Sequence, residues 1–115
     1  MQLMKFELQN YLIDENSSLK SALEKIDAHH QGFLFTTNTQ KSVTGLVTDG
    51  DIRRALINGI RLTDKISKCA NVEFFWVDID TPKESILKKL DSGIRFVPLL
   101  DEFKRLIYII TKDHL

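Results

Sequence analysis

The sequence predicts an α/β (α+β) fold made of two similar β-α-β-β-α units that pack through their sheets. Three observations support it: strand and helix patterns occur twice in the same order, several residues recur at a nearly constant spacing, and Gly45–Leu56 joins a strand end directly to a helix start. A chain of 115 residues suits one compact module. Each half is too small to bury its own sheet face, so we expect the two units to cover each other with pseudo-two-fold symmetry.

Six short segments predict strands, because they are apolar and rich in β-branched or aromatic residues. Residues 1–60 form the first predicted unit with a lead-in, and residues 61–115 form a connector and the second. The predicted strands are Leu12-Ile13, Phe33–Thr36 and Val43–Val47 in the first unit, and Phe74–Val77, Arg95–Leu100 and Leu106–Ile110 in the second.

Apolar residues at helical spacing predict three helices. The first begins at Ser17 or Ser18, and the second runs from Asp49 to the residue before Gly59. The third begins at the capping box Thr81-Pro82-Lys83-Glu84, with proline at the first helical position. The second unit stops at Leu115, before its final helix, and this predicts that the chain belongs to a longer protein. The apolar helix faces consist of Leu19, Ala22, Leu23 and Ile26 in the first helix and of Ile86, Leu87 and Leu90 in the third.

An internal repeat supports the two-unit interpretation. Thr48 recurs as Thr111, 63 residues later. A period of this size indicates two copies of one supersecondary unit. Four further residues recur 64 positions later, namely Ser21, Leu23, Lys25 and Asp27, which match Ser85, Leu87, Lys89 and Asp91.

Composition excludes several classes of protein. The 16 basic and 16 acidic residues cancel, so the charge excess of a nucleic-acid-binding protein is missing. No apolar run is long enough to cross a bilayer, and the N-terminal residues do not resemble a signal peptide. A single cysteine, Cys69, excludes a disulfide within the chain. We therefore expect a cytoplasmic protein with neither a membrane nor a nucleic acid as its partner.

The strand-to-helix junction at Thr48–Asp51 is the candidate site. Thr48 is placed to cap the helix and Asp51 lies three residues later. Exposed N–H donors at a helix start favour phosphate, and a carboxylate on the same turn can accept both hydrogen bonds of a ribose diol. These features predict a nucleotide-binding corner. Taken alone, these four residues favour a helix cap that binds no ligand, and only the repeat with the resemblance described next favours a nucleotide site.

The repeat together with its motif resembles a known family. The first half closes with Gly-hydrophobic-hydrophobic-Thr-x-x-Asp, residues 45–51, and this pattern is similar to a pair of CBS domains, the Bateman module. The run Val47–Leu56 and the segment Gly93-Ile94-Arg95 are similar to the CBS pair that precedes the catalytic domain of bacterial sugar-phosphate nucleotidyltransferases. The resemblance covers Leu12–Leu115.

The resemblance implies a sensor of adenine nucleotides (AMP, ADP or ATP) attached to a catalytic domain, with no resident cofactor. By analogy with the family, Thr48 would contact phosphate and Asp51 the ribose hydroxyls, with Leu46 and Asp49 beside them. In the second unit His114 stands where this carboxylate is expected, so we predict one competent and one degenerate site. The opposite wall of the competent site would consist of Phe74, Phe75, Ile94, Arg95 and Phe96.

Two further classes compete with a sensor. For an independent enzyme we identify no catalytic or metal-binding residues, and no phosphate-binding glycine loop is present. For a ligand-free interaction module, the pair would only dimerise. The resemblance to CBS pairs implies a homodimer that forms through helix faces. Four apolar residues could supply such a face here, namely Ala55, Leu56, Ile86 and Leu90.

Overall fold

A computed structural model describes residues 5–29 and 31–111, and these form two compact units. The first unit is Gln9–Phe74, and the second combines Phe75–Leu115 with Met1–Leu8. The first contains a β-α-β-β arrangement and the second an α-β-β arrangement with an isolated bridge before its helix, and this mixture of helices and small sheets confirms the predicted α+β fold class. The predicted division after residue 60 follows the repeat rather than spatial contacts, and it stays a prediction. None of the helices in the described ranges is long and apolar enough to cross a bilayer.

The first unit contains a three-stranded sheet and two helices. Its central strand pairs in parallel with the first strand and antiparallel with the third. A short 3-10 turn, Gln9–Tyr11, leads into it. The elements are β1 (Leu12–Asp14), α2 (Leu19–His29), β2 (Phe33–Thr37), β3 (Val43–Thr48) and α3 (Asp49–Ile57).

The core of the first unit lies between the sheet and the two helices. The predicted face of α2 is confirmed: Leu19, Ala22 and Ile26 are buried, and Leu23 packs beside them. All five residues of β2 are buried, as a continuous apolar run suggests. Burial of this kind supplies the main driving force for folding.

The connector after α3 belongs to this unit and forms part of its sheet edge. Asn71 exchanges two backbone hydrogen bonds with Leu46 of β3, at 2.9 and 2.7 Å. Gly45 makes this close approach possible, because a Cβ there would lie 2.9 Å from Thr36 Oγ1 and 3.1 Å from the Cβ of Ala70. The Ala70–Asn71 segment can therefore lie against β3 because residue 45 has no side chain.

The second unit is simpler. Its strands, β4 (Phe96–Leu100) and β5 (Leu106–Thr111), form an antiparallel pair, and its helices are α1 (Lys5–Leu8) and α4 (Lys83–Asp91). Of the predicted face of α4, Ile86 and Leu90 are buried, whereas Leu87 is only half-buried. Its core consists of Val77, Ile86, Leu90, Val97 and Ile110.

Two predictions in this unit are wrong. Phe74–Val77 is not a strand: only Val77 forms a bridge, to Leu99. The Thr81 capping box does not form either, because the Thr81 hydroxyl accepts from the N–H of Asp78 and donates to its carboxylate. The helix begins instead at Pro82 as N-cap, without a side-chain hydrogen bond.

The hairpin turns of the two units have the same geometry. In the first, Asn38 Oδ1 accepts two backbone N–H groups at 3.0 Å. In the second, Asp101 Oδ1 accepts two at 2.8 and 2.9 Å, 63 residues later. Lys41 and Lys104 share a positive φ, 68° and 61°, also 63 residues apart. The repeat predicted from side chains therefore extends to individual backbone conformations.

The predicted dimer face lies inside the units. Ala55 is buried in the core of the first unit, where Leu56 packs against it. Ile86 and Leu90 are buried in the core of the second. Their helical spacing reflects packing of each helix on its own unit, so these four residues are not an exposed interface.

Candidate functional site

The corner between β3 and α3 holds the predicted Thr48 and Asp51 in a reciprocal capping box. Thr48 Oγ1 accepts the backbone N–H of Asp51 at 3.1 Å, and Asp51 Oδ2 accepts the N–H of Thr48 at 2.9 Å. Thr48 has an extended backbone, as an N-cap residue requires. The two side chains are thereby fixed on one turn.

The first N–H groups of α3 are not exposed donors, contrary to the sequence-based expectation. Asp49 donates to the carbonyl of Gly32 at 3.1 Å, and Gly50 donates to Asp49 Oδ1 at 2.9 Å. The third N–H, of Asp51, is taken by the Thr48 hydroxyl. A phosphate group at this corner would therefore depend on side chains or displace one of these acceptors.

Two arginines neutralise the carboxylates of the corner. Arg54 donates to Asp51 Oδ1 at 2.8 Å, and Arg53 donates to Asp49 Oδ2 at 3.2 Å. The arginine side chains are 68% and 67% exposed, and exposed ion pairs of this kind are weak, at about 0.2–1 kcal/mol. Both guanidinium groups can therefore change partners at little cost.

The Thr48 hydroxyl keeps one unused function. Its oxygen accepts from Asp51, while its hydrogen has no acceptor among the described residues. A hydroxyl can donate and accept at once, so Thr48 can donate to an incoming phosphate without breaking the cap.

The connector brings Cys69 to this corner, which sequence reasoning did not anticipate. Burial raises the pKa of the Cys69 thiol, and the negative charge of Asp51 raises it further. Leu46 is half-buried, and its backbone is paired with Asn71 of the same connector. Of these additional residues, the two arginines had a signal in the sequence, namely the i,i+3 spacing of Arg54 from Asp51 and the i,i+4 spacing of Arg53 from Asp49.

The remaining predicted residues divide between the two units. Phe74 lies in the first unit, with its ring 6.1 Å from that of Phe35. In the second unit, Phe75 and Ile94 pack against the core, and the ammonium of Lys89 lies 5.2 Å above the Phe75 ring. Arg95 is exposed and Phe96 is half-buried. His114, the predicted replacement for the ribose carboxylate, lies outside the described residues.

A family comparison agrees with the repeat. The model of the CBS domain matches twice, at residues 9–58 and 66–115. An uncharacterized protein of Helicobacter pylori (strain ATCC 700392 / 26695) is 27% identical over 104 residues, and one of strain J99 is 31% identical over 62 residues. These matches cover 90% and 54% of the chain but only 29% and 19% of the two relatives, which are much longer.

Solved structures show the same fold. The CBS domain pair of protein MJ0100, in complex with 5′-methylthioadenosine and S-adenosyl-L-methionine, has a TM-score of 0.72 at 21% identity and covers 90% of this chain and 82% of its own. The cytosolic domain of the Mg²⁺ channel MgtE, in complex with ATP, has a TM-score of 0.75 at 18% identity, covering 91% and 43%. Staphylococcus aureus OpuCA has a TM-score of 0.74 at 19% identity, covering 90% and 85%. With two matched domains that span most of its length, the chain belongs to the CBS-domain family, whose pairs are regulatory ligand-binding modules rather than catalytic domains.

Proposed function

We propose that this CBS pair is a cytoplasmic sensor of adenine nucleotides. The observation that carries the proposal is the arrangement of Thr48 and Asp51 on one turn, with an unused hydroxyl hydrogen and a carboxylate whose second oxygen is held only by the exposed Arg54. The adenosine-containing ligands of the MJ0100 and MgtE domains support this ligand class.

Binding would proceed by an exchange of partners at Asp51. The ribose diol takes Oδ1 from Arg54, while Oδ2 continues to cap α3. The released guanidinium of Arg54 then pairs with a phosphate that also accepts from Thr48. Charge-assisted bonds to phosphate replace a weak, solvent-exposed ion pair, so the exchange favours the nucleotide.

We propose that a second wall completes the site, consisting of Phe74, Phe75, Ile94, Arg95 and Phe96. A purine between aromatic and aliphatic side chains would gain stacking and apolar burial. If a ligand touches both units, it favours the relative orientation in which both contacts form, and an attached domain responds to that shift in population.

Calorimetry with AMP, ADP, ATP and S-adenosylmethionine tests the proposal. Asp51→Asn keeps an oxygen to cap α3 but removes the charge, so we expect affinity to fall at least about tenfold while the fold persists. Asp27→Asn, an exposed carboxylate on α2, is the charge-matched control and should bind like the wild type. Unchanged binding by Asp51→Asn contradicts its role, and the lack of binding of all four ligands favours the ligand-free interaction module instead.

The partner exchange makes a separate prediction for Arg54. Arg54→Gln frees Asp51 Oδ1 but removes a phosphate partner. Adenosine should therefore bind as well as before or better, while ATP binds more weakly. Equal losses for both ligands would contradict the exchange.

We propose further that the pair is the sensor part of a sugar-phosphate nucleotidyltransferase that works as a homodimer. The run Val47–Leu56 supports this parent, and the greater length of the Helicobacter pylori relatives fits an attached domain. The natural full-length protein should release pyrophosphate from a nucleoside triphosphate and a sugar 1-phosphate, at a rate that adenine nucleotide changes. Sedimentation of the pair tests the homodimer, and an inactive full-length protein would contradict the parent.

A further inference from the structure

The second unit carries an open apolar groove beside its hairpin. The groove has a volume of about 620 Å³ and lies between the segment that precedes α4 and the turn that joins β4 to β5. Its apolar lining consists of the exposed Trp76, Ile79 and Ile107 and the buried Leu100. It contains none of the residues of the proposed nucleotide site, so a role for the groove is independent of nucleotide binding.

The apolar side chains of the groove are unusually exposed. Ile79 is 86% exposed, Ile107 47% and Trp76 37%. Phe103, at the tip of the adjacent hairpin, is exposed as well. Single exposed apolar residues are common, but several large ones around one concavity are typical of a surface that binds a partner.

The rim of the groove is acidic. Asp78, Asp80, Asp101 and Glu102 line it, against one cationic residue, Lys104. Asp78 and Asp101 accept backbone N–H groups, whereas the carboxylates of Asp80 and Glu102 form no ion pair with other described residues. Negative charge around an apolar floor complements a partner that carries both positive charge and aliphatic side chains.

The tryptophan already accepts a cation. The ammonium of Lys104 lies 5.5 Å from the centre of the Trp76 ring. This distance is typical of a cation–π contact, and an exposed one is worth little, about 0.5–1 kcal/mol. A lysine or arginine of a partner can therefore take the place of Lys104 above the indole.

The corresponding position of the first unit is different. Its cavity is smaller, at about 280 Å³, and is lined by polar side chains that include Ser17, Lys25, Thr37 and Lys41. Thr37 and Lys41 correspond to Leu100 and Lys104 of the groove, 63 residues later. The apolar and acidic character is therefore a property of the second unit and not of the fold.

We propose that this groove docks a cationic amphipathic segment of a partner protein, in which lysine or arginine alternates with aliphatic residues. The aliphatic side chains cover Ile79 and Ile107, and the cations face Asp80, Glu102 and the Trp76 ring. An anionic membrane surface does not fit, because the rim would repel it. A second copy of this chain has no net positive charge to offer.

Trp76 is the only tryptophan of the chain, so its fluorescence reports on the groove directly. A synthetic peptide of alternating leucine and lysine should shift the emission saturably, and its affinity should fall as salt is added. A leucine–glutamate peptide of equal length should produce no shift. An equal response to both peptides, or no saturable response to the first, overturns the proposal.

Matched variants locate the binding. Ile79→Ser should weaken binding of the leucine–lysine peptide about tenfold, because it removes one buried isoleucine from the complex. Ile57→Ser is the control, since Ile57 is 83% exposed on α3 in the other unit. Glu102→Lys should also weaken binding of this peptide, whereas Glu24→Lys, at an exposed position of α2, should not.

Three outcomes overturn the proposal in favour of other occupants or none. Equal losses with Ile57→Ser indicate nonspecific adsorption. An emission shift that depends on protein concentration without peptide indicates a second copy. An equal shift with phosphatidylglycerol vesicles indicates a membrane surface.

Discussion

The two units have the same hairpins but different sheets. Each turn is held by one side-chain oxygen that accepts two backbone N–H groups, from Asn38 in the first unit and Asp101 in the second. In the first unit β1 pairs with β2 over three residues, whereas the second has only the bridge between Val77 and Leu99. Similar turns therefore do not ensure similar strand pairing.

A proline explains one part of the difference, namely why the pairing stops on the Phe75 side of the bridge. In the first unit Leu12 pairs with Phe35, and a parallel ladder of this register uses the N–H of the central strand. The corresponding residue 63 positions later is Pro98, which has no N–H to donate. The bonds from Val77 to Pro98 and from Leu100 to Val77 form, but the ladder cannot extend towards Phe75.

Gly45 offers the strongest test of the difference between the two sheets, because Tyr108 occupies its position in the second unit. Gly45→Ala should lower the free energy of unfolding by about 1–3 kcal/mol, since the methyl group meets Thr36 and the Ala70–Asn71 segment. Chemical denaturation measures the change. The same substitution at Gly50, where a Cβ meets the flexible tips of Arg54, 3.3 Å away, and Arg53, 3.7 Å away, should be neutral or stabilising. Equal losses at both glycines would show that the crossing segment does not require Gly45.

Helix capping also differs between the two units, with a smaller expected effect on stability than the Gly45 substitution. The Ser18 hydroxyl accepts the N–H of Ser21 at the start of α2, whereas the corresponding Pro82 provides no side-chain cap to α4. Ser18→Ala should cost about 1 kcal/mol of stability, measured by thermal or chemical unfolding. Pro82→Ala should cost less, because it removes only a backbone restriction. A larger effect at Pro82 would contradict this assignment of the caps.

Pro98 can be tested directly. Pro98→Ala supplies an N–H opposite the carbonyl of Phe75, so the new amide should exchange with solvent hydrogen at least about tenfold more slowly than an unstructured amide. The net change in stability should stay within about 1 kcal/mol, because the new hydrogen bond offsets the lost rigidity. Pro82→Ala is the control, since its amide has no expected acceptor at the helix start. Fast exchange at both positions would show that something other than the missing N–H shortens the ladder.

The connector, which packs in the first unit alone, should give that unit a pH dependence of its own. The backbone N–H of Arg61, and then Lys68, lower the pKa of Asp64 below its usual 3.8. A carboxyl whose pKa is lowered on folding contributes stability at higher pH, and this contribution disappears as the pH falls through the folded-state value. The difference in Tm between the wild type and Asp64→Asn should therefore be constant near neutral pH and shrink below about pH 4. A difference in Tm at Asp64 that is independent of pH would contradict the assignment.

Local patterns predicted the elements that depend on local contacts. The buried faces of α2 and α4 and the capping box at Thr48 each rest on residues close in sequence, and each is confirmed. The Phe74–Val77 strand failed because its pairing depends on Pro98, about 20 residues away. The Thr81 box failed because Asp78 competes for the same hydroxyl.

The candidate site shows the same division. The Thr48–Asp51 geometry was predictable from spacing alone, but the occupied N–H of Asp49 was not, because its acceptor is the carbonyl of Gly32 on another segment. Asn71 and Cys69 reach the corner only through the path of the connector. Contacts of this kind carry no signal in a single sequence.

Cys69 allows a probe to be attached near Asp51 without any substitution in the chain. It is the chain's only thiol, and burial and Asp51 raise its pKa, so alkylation should be slow at neutral pH and should accelerate as the pH rises. A fluorine-bearing tag attached there would give a single NMR resonance near Asp51. Occupancy of the corner could then be followed in the native sequence, in real time and without a labelled ligand.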